Sequence, residues 1–250
     1  MFLAMNAFRD PVAGDVDAAR SSQPGVRILF VGNSLTSKND LPGMVSRLAA
    51  GLVPPRTVIT VSYTRFGARL SDAAGSDRLA RLIASAPWDY VVLQELSVIP
   101  SWAPSYRAEA MDAPVAKLAQ EIRDAGATPV FYATWAYPHG DPGVEGDSFD
   151  DMTARVLEGY RRQADRTGGV VVPVAAAWAQ EVLRDHGDDL IAGDDRHPSR
   201  AGTYLAAATF VAQLLEPSSA SRFTAGLPRE RADELQRAAG LAVGIEPAGP

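Results

Sequence analysis

One short segment places a potential nucleophile directly after a buried apolar run. In "FVGNSLTSKND", residues 30–40, the apolar stretch ends at Gly32, and Asn33 and Ser34 follow it. Glycine can adopt backbone angles that a side chain forbids, so a sharp turn can be made at Gly32. Ser34 would then stand exposed at the edge of a sheet, where its hydroxyl can meet a substrate. The alternative is a serine that only belongs to the turn, and this segment alone does not decide between them.

A second segment, far along the chain, holds a histidine beside acidic residues. In "IAGDDRHPSRAGTYLAA", residues 191–207, Asp194 precedes His197 by three positions and Pro198 follows it. Because proline disfavours helix in the residue before it, we expect His197 in an extended loop from which Asp194 can reach the imidazole. The alternative is a solvated acidic loop with a surface histidine.

Together the two segments supply the three groups that nucleophilic catalysis needs. A serine hydroxyl is a weak nucleophile until a histidine accepts its proton. That histidine needs an acceptor that holds its tautomer and stabilises the imidazolium. Ser34, His197 and Asp194 meet this need if the fold brings them to one place.

The elements around these segments are indicated by hydrophobic patterning. Five short runs rich in Val, Ile, Tyr and Phe mostly lack polar alternation, which is typical of strands buried on both faces. These runs are VRILFV (26–31), RTVITVSY (56–63), DYVVLQ (89–94), TPVFYAT (128–134) and GGVVVPV (168–174). Helical patterns occupy residues 41–52, 76–86, 104–126 and 148–169, and further helices are expected from Ser199 and over 228–242.

Alternation of strands and helices predicts the fold class. It is typical of βαβ units, in which a parallel sheet carries helices on both faces. We therefore expect an α/β protein, a three-layer α/β/α sandwich around a five-stranded parallel sheet. Ligands of such sheets bind at the carboxyl ends of the strands, so the strand ends are where chemistry is expected.

The chain shows no internal repeat and no linker, which predicts one α/β domain over residues 26–216. We expect residues 1–25 to form a flexible or surface-hugging arm, and residues 217–250 to form a C-terminal helix and tail that packs on or trails the domain. Arg9 and Asp10 interrupt the brief apolar opening, and no basic segment precedes it, which disfavours a signal peptide. A cytoplasmic protein is expected, with a secreted protein that has lost its leader as the alternative.

Composition narrows the function classes. The 250 residues are 46% hydrophobic and 22% charged, with a net charge of −6 and no cysteine. Such an acidic chain is a poor partner for nucleic acids or anionic membranes, and it contains no disulfide, thiolate metal site or cysteine nucleophile. No nucleotide-binding glycine motif occurs. The acidic clusters DHGDD (185–189) and DDRH (194–197) are expected to be solvated, so we expect neither metal nor cofactor; the oligomeric state stays open.

The motifs carry a resemblance to a known family. "VGNSLT" resembles the first block of the GDSL/SGNH hydrolases, with Asn33 where that block usually has Asp, and "DDRHPSRAG" resembles their last block. The resemblance implies a flavodoxin-like fold with Ser34 as nucleophile, His197 as base and Asp194 as the residue that orients the base. Asp195 has the wrong spacing for that last role.

The middle blocks depart from the family's commonest form. In "YTRFGARL", Gly67 matches the glycine that offers its backbone N–H to the oxyanion. Where the family usually has G-x-N-D, this chain has "VVLQELS", so the resemblance implies that Gln94 supplies the side-chain amide, as in some carbohydrate-esterase branches. The alternative is that Gln94 only caps a buried strand edge. The resemblance spans residues 26–216.

The family likeness implies a carboxylic ester hydrolase. An O-acetyl group on a carbohydrate is the first expectation for its substrate, with a small-molecule ester as the other partner class. Asn33, Trp135 and Tyr137 are expected to contact substrate, although aromatic faces suit packing as well as sugar rings. An acyltransferase with the same triad and a non-catalytic flavodoxin-like binding module remain alternatives.

Overall fold

The computed structural model of the chain describes residues 7–244. Its strands are β1 Val26–Gly32, β2 Val58–Thr64, β3 Tyr90–Leu93, β4 Thr128–Tyr132 and β5 Val170–Val172. Its α-helices are α1 Ala13–Arg20, α2 Ser34–Ser37, α3 Leu41–Ala50, α4 Leu70–Ala74, α5 Asp77–Ile83, α6 Pro104–Arg107, α7 Ala113–Asp124, α8 Phe149–Thr167, α9 Val174–Val182, α10 Arg200–Leu215 and α11 Arg229–Ala242. The five strands form one sheet in the order β2-β1-β3-β4-β5, with every pair parallel, so the predicted fold class is confirmed.

The apolar strand runs are explained by a sheet that is covered on both faces. Successive side chains of a strand point to opposite faces. Along β1, Ile28 and Phe30 belong to one core, which α3, α10 and α11 cover. Leu29 and Val31 belong to the other core, which α5, α7 and α8 cover. All four are at most 1% exposed, so a run without polar alternation is what this position requires.

The order of the strands puts the end of β1 at a switch point. The chain leaves β1 to build β2 on one side and then crosses over to build β3 on the other side. Connections that diverge in this way leave a crevice at the carboxyl ends of the two strands between which the order switches, here β1 and β3, and ligands of open α/β sheets bind in such a crevice. Ser34 follows β1 at this point.

Gly32 is required by space rather than by backbone angle. The sequence suggested that Gly32 allows a conformation forbidden to other residues, yet its φ lies outside the left-handed region. A Cβ at this position would instead lie 2.5 Å from Oγ1 of Thr36 and 2.6 Å from Oε1 of Gln94. The glycine therefore lets the side chain of Gln94 approach the backbone just before the turn that carries Ser34.

The regions on either side of residues 26–216 are partly described. Residues 1–6 of the expected arm and 245–250 of the expected tail lie outside the described residues. The described part of the arm contains α1, and Arg27 of β1 donates to the carbonyl oxygen of Ala19 in that helix at 2.9 Å. At the other end, α11 packs against α10.

Two helical regions differ from the sequence expectation. The pattern over 104–126 divides into α6, a π-helical turn over Ala108–Asp112 and α7. Helix α9 follows β5 directly after Pro173, where a strand was expected to continue. Within residues 7–244, no helix is long and apolar enough to cross a membrane.

Candidate active site

Ser34 begins the short helix α2, immediately after β1. Asn33 caps this helix, since its side-chain oxygen accepts the N–H of Leu35 at 3.1 Å. The buried side chains of Leu35 and Thr36 hold the helix against the protein, while the side chain of Ser34 is partly exposed. The turn therefore presents the hydroxyl of Ser34 at the crevice beside β1.

His197 lies in a closed loop that precedes α10. An antiparallel bridge joins Ile191 to Pro198, and the N–H of Ala192 donates to the carbonyl oxygen of His197 at 2.8 Å. Asp195 turns the chain at the tip of the loop with a φ of 55°. The loop is thus a tight hairpin whose backbone fixes the direction of the imidazole.

The structure brings Ser34, His197 and Asp194 together. Nε2 of His197 lies 2.9 Å from Oγ of Ser34, and Nδ1 lies 2.6 Å from Oδ2 of Asp194. Oδ1 of Asp194 also accepts the backbone N–H of His197 at 2.9 Å and of Arg196 at 3.2 Å. Asp194, and not Asp195, occupies the position beside the imidazole.

The carboxylate of Asp194 stays charged because of these hydrogen bonds. The hydrogen bond from the His197 side chain, followed by the backbone N–H of His197, lowers the pKa of Asp194 to about 2. A charged acceptor on Nδ1 leaves Nε2 without a proton, so that it can receive one from Ser34. The order of the three groups is the order that proton removal from a serine requires.

Asn39, which the sequence reasoning did not single out, joins the two segments. Its side-chain nitrogen lies 3.1 Å from the carbonyl oxygen of Pro198, 3.0 Å from that of Ser199 and 2.9 Å from Oγ1 of Thr203. Asn39 has a φ of 53°, a conformation that asparagine tolerates better than most residues. The segment after Ser34 is therefore bonded directly to the loop of His197.

Two backbone N–H groups, those of Ser34 and Gly67, follow the ends of the adjacent strands β1 and β2. Ser34 stands at the start of α2, where the first N–H groups of a helix have no intrahelical acceptor. Gly67 lies in an exposed turn after β2 with a φ of 65°, and a Cβ there would meet nothing within 4 Å. Neither N–H has a hydrogen-bond acceptor within the described part of the chain.

Gln94 forms hydrogen bonds with neighbouring residues of the protein. Its side chain is fully buried, and its oxygen accepts the N–H of Asn33 at 2.9 Å and the hydroxyl of Thr36 at 2.9 Å. Its nitrogen donates to the carbonyl oxygen of Glu95. The N–H of Asn33 fixes which end of the amide is oxygen. The recorded hydrogen bonds of Gln94 match the alternative of a residue that caps the buried strand end, and through them Gln94 supports the turn of Ser34.

Two of the three residues expected to contact substrate are buried. Asn33 is 1% exposed, and its side-chain nitrogen donates to the carbonyl oxygen of Ala68 at 3.0 Å. Trp135 is also 1% exposed and stacks on Trp178, with ring centroids 4.3 Å apart. Its indole N–H donates to the carbonyl oxygen of Arg196 at 3.1 Å, so it supports the histidine loop instead of facing a ligand.

Tyr137 lies nearer the surface, beside the loop of His197. It is half-buried, its hydroxyl lies 2.6 Å from Oγ of Ser97, and the guanidinium of Arg196 lies 5.7 Å from its ring centre. Phe66, which the sequence reasoning passed over, is 65% exposed and has its ring centre 6.1 Å from that of His197. These two aromatic side chains border the approach to the histidine.

The residues missed by sequence reasoning share one property. Asn39, Thr36 and Glu95 are polar residues that act through tertiary hydrogen bonds. No local pattern distinguishes them from ordinary surface or turn residues. Within the described residues, no group of three His, Asp or Glu side chains is arranged to hold a metal ion.

Solved structures similar to this chain are found, whereas family models and curated proteins give no match. A structure from Slackia heliotrinireducens, described as a candidate SGNH hydrolase, is 35% identical, with 76% of this chain and 100% of the other covered and a TM-score of 0.61.

More distant structures share the fold. A DUF4886 family protein from Bacteroides uniformis is 18% identical, with 88% of this chain and 95% of the other covered and a TM-score of 0.70. An acetylxylan esterase from Geobacillus stearothermophilus is 19% identical, with 76% and 94% covered and a TM-score of 0.58. The identity to the Slackia protein over its whole length, together with the shared architecture, shows that this chain belongs to the SGNH (GDSL-type) hydrolases, and the expected hydrolase is thereby confirmed.

Proposed function

We propose that the protein hydrolyses carboxylic esters with Ser34 as nucleophile, His197 as general base and Asp194 as the residue that orients it. The observation that carries this proposal is the unbroken line of hydrogen bonds, 2.9 Å from Oγ of Ser34 to Nε2 and 2.6 Å from Nδ1 to Asp194. Both distances are within the range that proton transfer needs.

In the first half of the reaction, Nε2 of His197 accepts the hydroxyl proton while Oγ of Ser34 attacks the ester carbonyl carbon. The carbonyl oxygen becomes an oxyanion, and the N–H groups of Ser34 and Gly67 donate to it. As the tetrahedral intermediate collapses, the bond to the alcohol oxygen breaks and the alcohol takes the proton from Nε2. Asp194 stabilises the imidazolium while it exists.

In the second half, water replaces the alcohol. His197 removes a proton from the water, whose oxygen attacks the acyl carbon attached to Ser34. The acyl–oxygen bond to the serine then breaks, Oγ recovers a proton from Nε2, and the carboxylic acid leaves. The same two N–H groups serve both tetrahedral intermediates, since the oxyanion forms at the same place.

For the substrate we propose an acetyl ester on a carbohydrate. One structure that shares the fold is named as an acetylxylan esterase, which makes O-acetyl sugars the first substrate class to test. The exposed ring of Phe66 beside His197 supports this choice, because an exposed aromatic face next to the reacting groups suits a sugar ring. The partly exposed ring of Tyr137 lies on the same approach.

The test combines a covalent probe with paired serine variants. A fluorophosphonate should label Ser34, and Ser34→Ala should lower kcat/KM for p-nitrophenyl acetate by roughly 10⁴- to 10⁶-fold, as removal of a triad nucleophile does. Ser37→Ala, at an exposed serine of the same short helix, is the matched control and should stay within about threefold of wild type. An active Ser34→Ala protein with native circular dichroism would end the proposal.

The substrate class is tested separately. Acetylated xylo-oligosaccharides should be deacetylated with a higher kcat/KM than p-nitrophenyl esters of longer chains, and Phe66→Ala should raise KM for the sugar more than for p-nitrophenyl acetate. Added sugar alcohols distinguish hydrolysis from acyl transfer, because a transferase would form a new ester in place of free acetate. Equal rates on all esters would refute the carbohydrate preference and leave ester hydrolysis standing.

A further inference from the structure

The turn that carries Gly67 needs support from elsewhere in the protein. Gly67 is exposed, has a left-handed backbone conformation and has open space where a Cβ would be. A donor in such a turn stabilises an oxyanion only if the turn is held in one position before the reaction, because preorganisation is the source of the effect.

Two buried side chains hold this turn. The side-chain nitrogen of Asn33 donates to the carbonyl oxygen of Ala68 at 3.0 Å. Three residues after Gly67, the N–H of Leu70 donates to the carboxylate of Glu95, at 3.2 Å to one oxygen and 3.1 Å to the other. The turn is therefore fixed immediately after Gly67 and again at the first residue of α4.

Glu95 is an unusual residue for this task. It is 0% exposed, and its carboxylate also accepts the N–H of Leu96 at 2.6 Å. None of the ion pairs that the structure records within residues 7–244 includes Glu95. A buried carboxylate held chiefly by backbone N–H groups is costly, which makes a structural role alone a poor explanation for a charged residue here.

The groups around Glu95 come from three directions. Arg69 and Asp72, on the turn and in α4, act electrostatically on the carboxylate in opposite senses. From α8, the hydroxyl of Tyr160 accepts the backbone N–H of Glu95 at 3.1 Å. Burial outweighs the hydrogen bonds and raises the pKa of Glu95 to about 7, so its protonation state changes near neutral pH.

We propose that Glu95, as a carboxylate, is a positioning residue that seats the Gly67 turn for oxyanion binding, an inference that rests on the proposed esterase function. The charged form presents acceptors to Leu70 and Leu96. Protonation turns one of these oxygens into a donor and leaves one neutral carbonyl oxygen as acceptor for both N–H groups, so the bond to the turn weakens. The Gly67 turn is then held mainly by the bond from Asn33 to Ala68, while Ser34 keeps its own support.

Two protonations therefore lower activity at acid pH. His197 must be neutral to accept the proton of Ser34, which accounts for one proton in any serine hydrolase of this type. Protonation of the Glu95 carboxylate is the second protonation that lowers activity. Over the pH range in which Glu95 becomes protonated, the acid limb of a plot of log kcat/KM against pH should accordingly steepen from a slope of one towards two.

The variant Glu95→Gln imitates the protonated state at every pH. We expect kcat for p-nitrophenyl acetate to fall about 10- to 100-fold at pH 8, KM to change by less than about threefold, and the acid limb to flatten to a slope of about one. Glu158→Gln is the control, since Glu158 pairs with Arg107 and has no contact with the Gly67 turn. A Glu95→Gln enzyme with wild-type kcat, or with a slope that stays at two, would overturn the proposal.

Hydrogen–deuterium exchange tests the same idea without activity. In the wild type and in Ser34→Ala, protection of residues 66–72, corrected for intrinsic exchange, should fall as pH is lowered from 8 to 6, while protection of residues 149–167 stays constant. Unchanged protection of 66–72 would refute the role of Glu95, even if Glu95→Gln fails to fold. If Ser34→Ala remains active while this pH effect is present, the proposed function fails and the support of the turn by Glu95 does not.

Discussion

Replacement of Gln94 by leucine tests the difference between a residue that stabilises the oxyanion and one that supports the nucleophile turn. The leucine side chain has a similar volume, so it fills the same buried space and removes only the amide. In the structure that amide accepts the N–H of Asn33 and the hydroxyl of Thr36, both at 2.9 Å, and donates to the carbonyl oxygen of Glu95.

The expected cost follows from the groups that lose their partners. Asn33 and Glu95 are at most 1% exposed. The variant would therefore leave the N–H of Asn33 and the carbonyl oxygen of Glu95 buried without these hydrogen bonds. Each unpaired buried group costs about 1–3 kcal/mol, so the two groups give about 2–6 kcal/mol for Gln94→Leu. Because the turn of Ser34 would also shift, we expect kcat to fall by roughly 10²-fold, as a displacement of about 1 Å can cause.

Urea unfolding and steady-state kinetics on the same protein measure both effects. Thr36→Val removes one partner of the amide, and the double variant with Gln94→Leu should show a coupling of about 0.5–3 kcal/mol in stability, as residues of one network do. Suppose instead that Gln94→Leu keeps the unfolding free energy of the wild type while kcat falls 10²- to 10³-fold at constant KM. The amide would then be a direct oxyanion donor, and our interpretation of its hydrogen bonds would be refuted.

Three further results are expected. Asp194→Asn should lower kcat/KM by up to about 10⁴-fold, whereas Asp195→Asn should stay within about threefold; the reverse order in parallel assays would contradict the geometry. Gly32→Ala should lower the Tm in thermal unfolding, because the new Cβ would lie 2.6 Å from the Gln94 oxygen. An unchanged Tm would show that neighbouring side chains can move away from the Cβ at no cost in stability. Burial raises the pKa of Glu95 from 4.5 to about 7, so the folded state favours the neutral form. This contribution to the unfolding free energy is fully present below pH 4.5, and about 3 kcal/mol of it is lost as pH rises to about 7. Unfolding free energies from urea titrations should therefore fall with pH in the wild type relative to Glu95→Gln, and parallel pH dependences would disprove the raised pKa of Glu95.

The pH expectations for Glu95 have opposite signs for activity and stability. The neutral form favours folding, and the charged form seats the Gly67 turn. Activity near neutral pH would thus depend on the protonation state that stabilises the fold less, which is a common property of functional sites.

Much of the architecture was predictable because it depends on local pattern. Strands buried on both faces must be continuously apolar. Phe30 and Val31 lie in two different cores on opposite faces of β1, which explains why β1 has no polar alternation. Pro198 kept His197 out of helix through a steric effect on its neighbour. Helix α9 was missed because Val174, its first residue, continues an apolar run that looks the same in a strand and in a buried helix.

The sequence by itself determined the sheet and the residue types able to act at its edge, since burial and periodicity are visible in the local order of apolar and polar residues. Only the tertiary structure decided which polar groups are free to act. The side-chain amides of Asn33 and Gln94 donate to the carbonyl oxygens of Ala68 and Glu95, while the backbone N–H groups of Ser34 and Gly67 have no acceptor within the described residues. A polar side chain has the same chemistry in either case, and its function depends on whether a partner distant in sequence has already satisfied its hydrogen bonds.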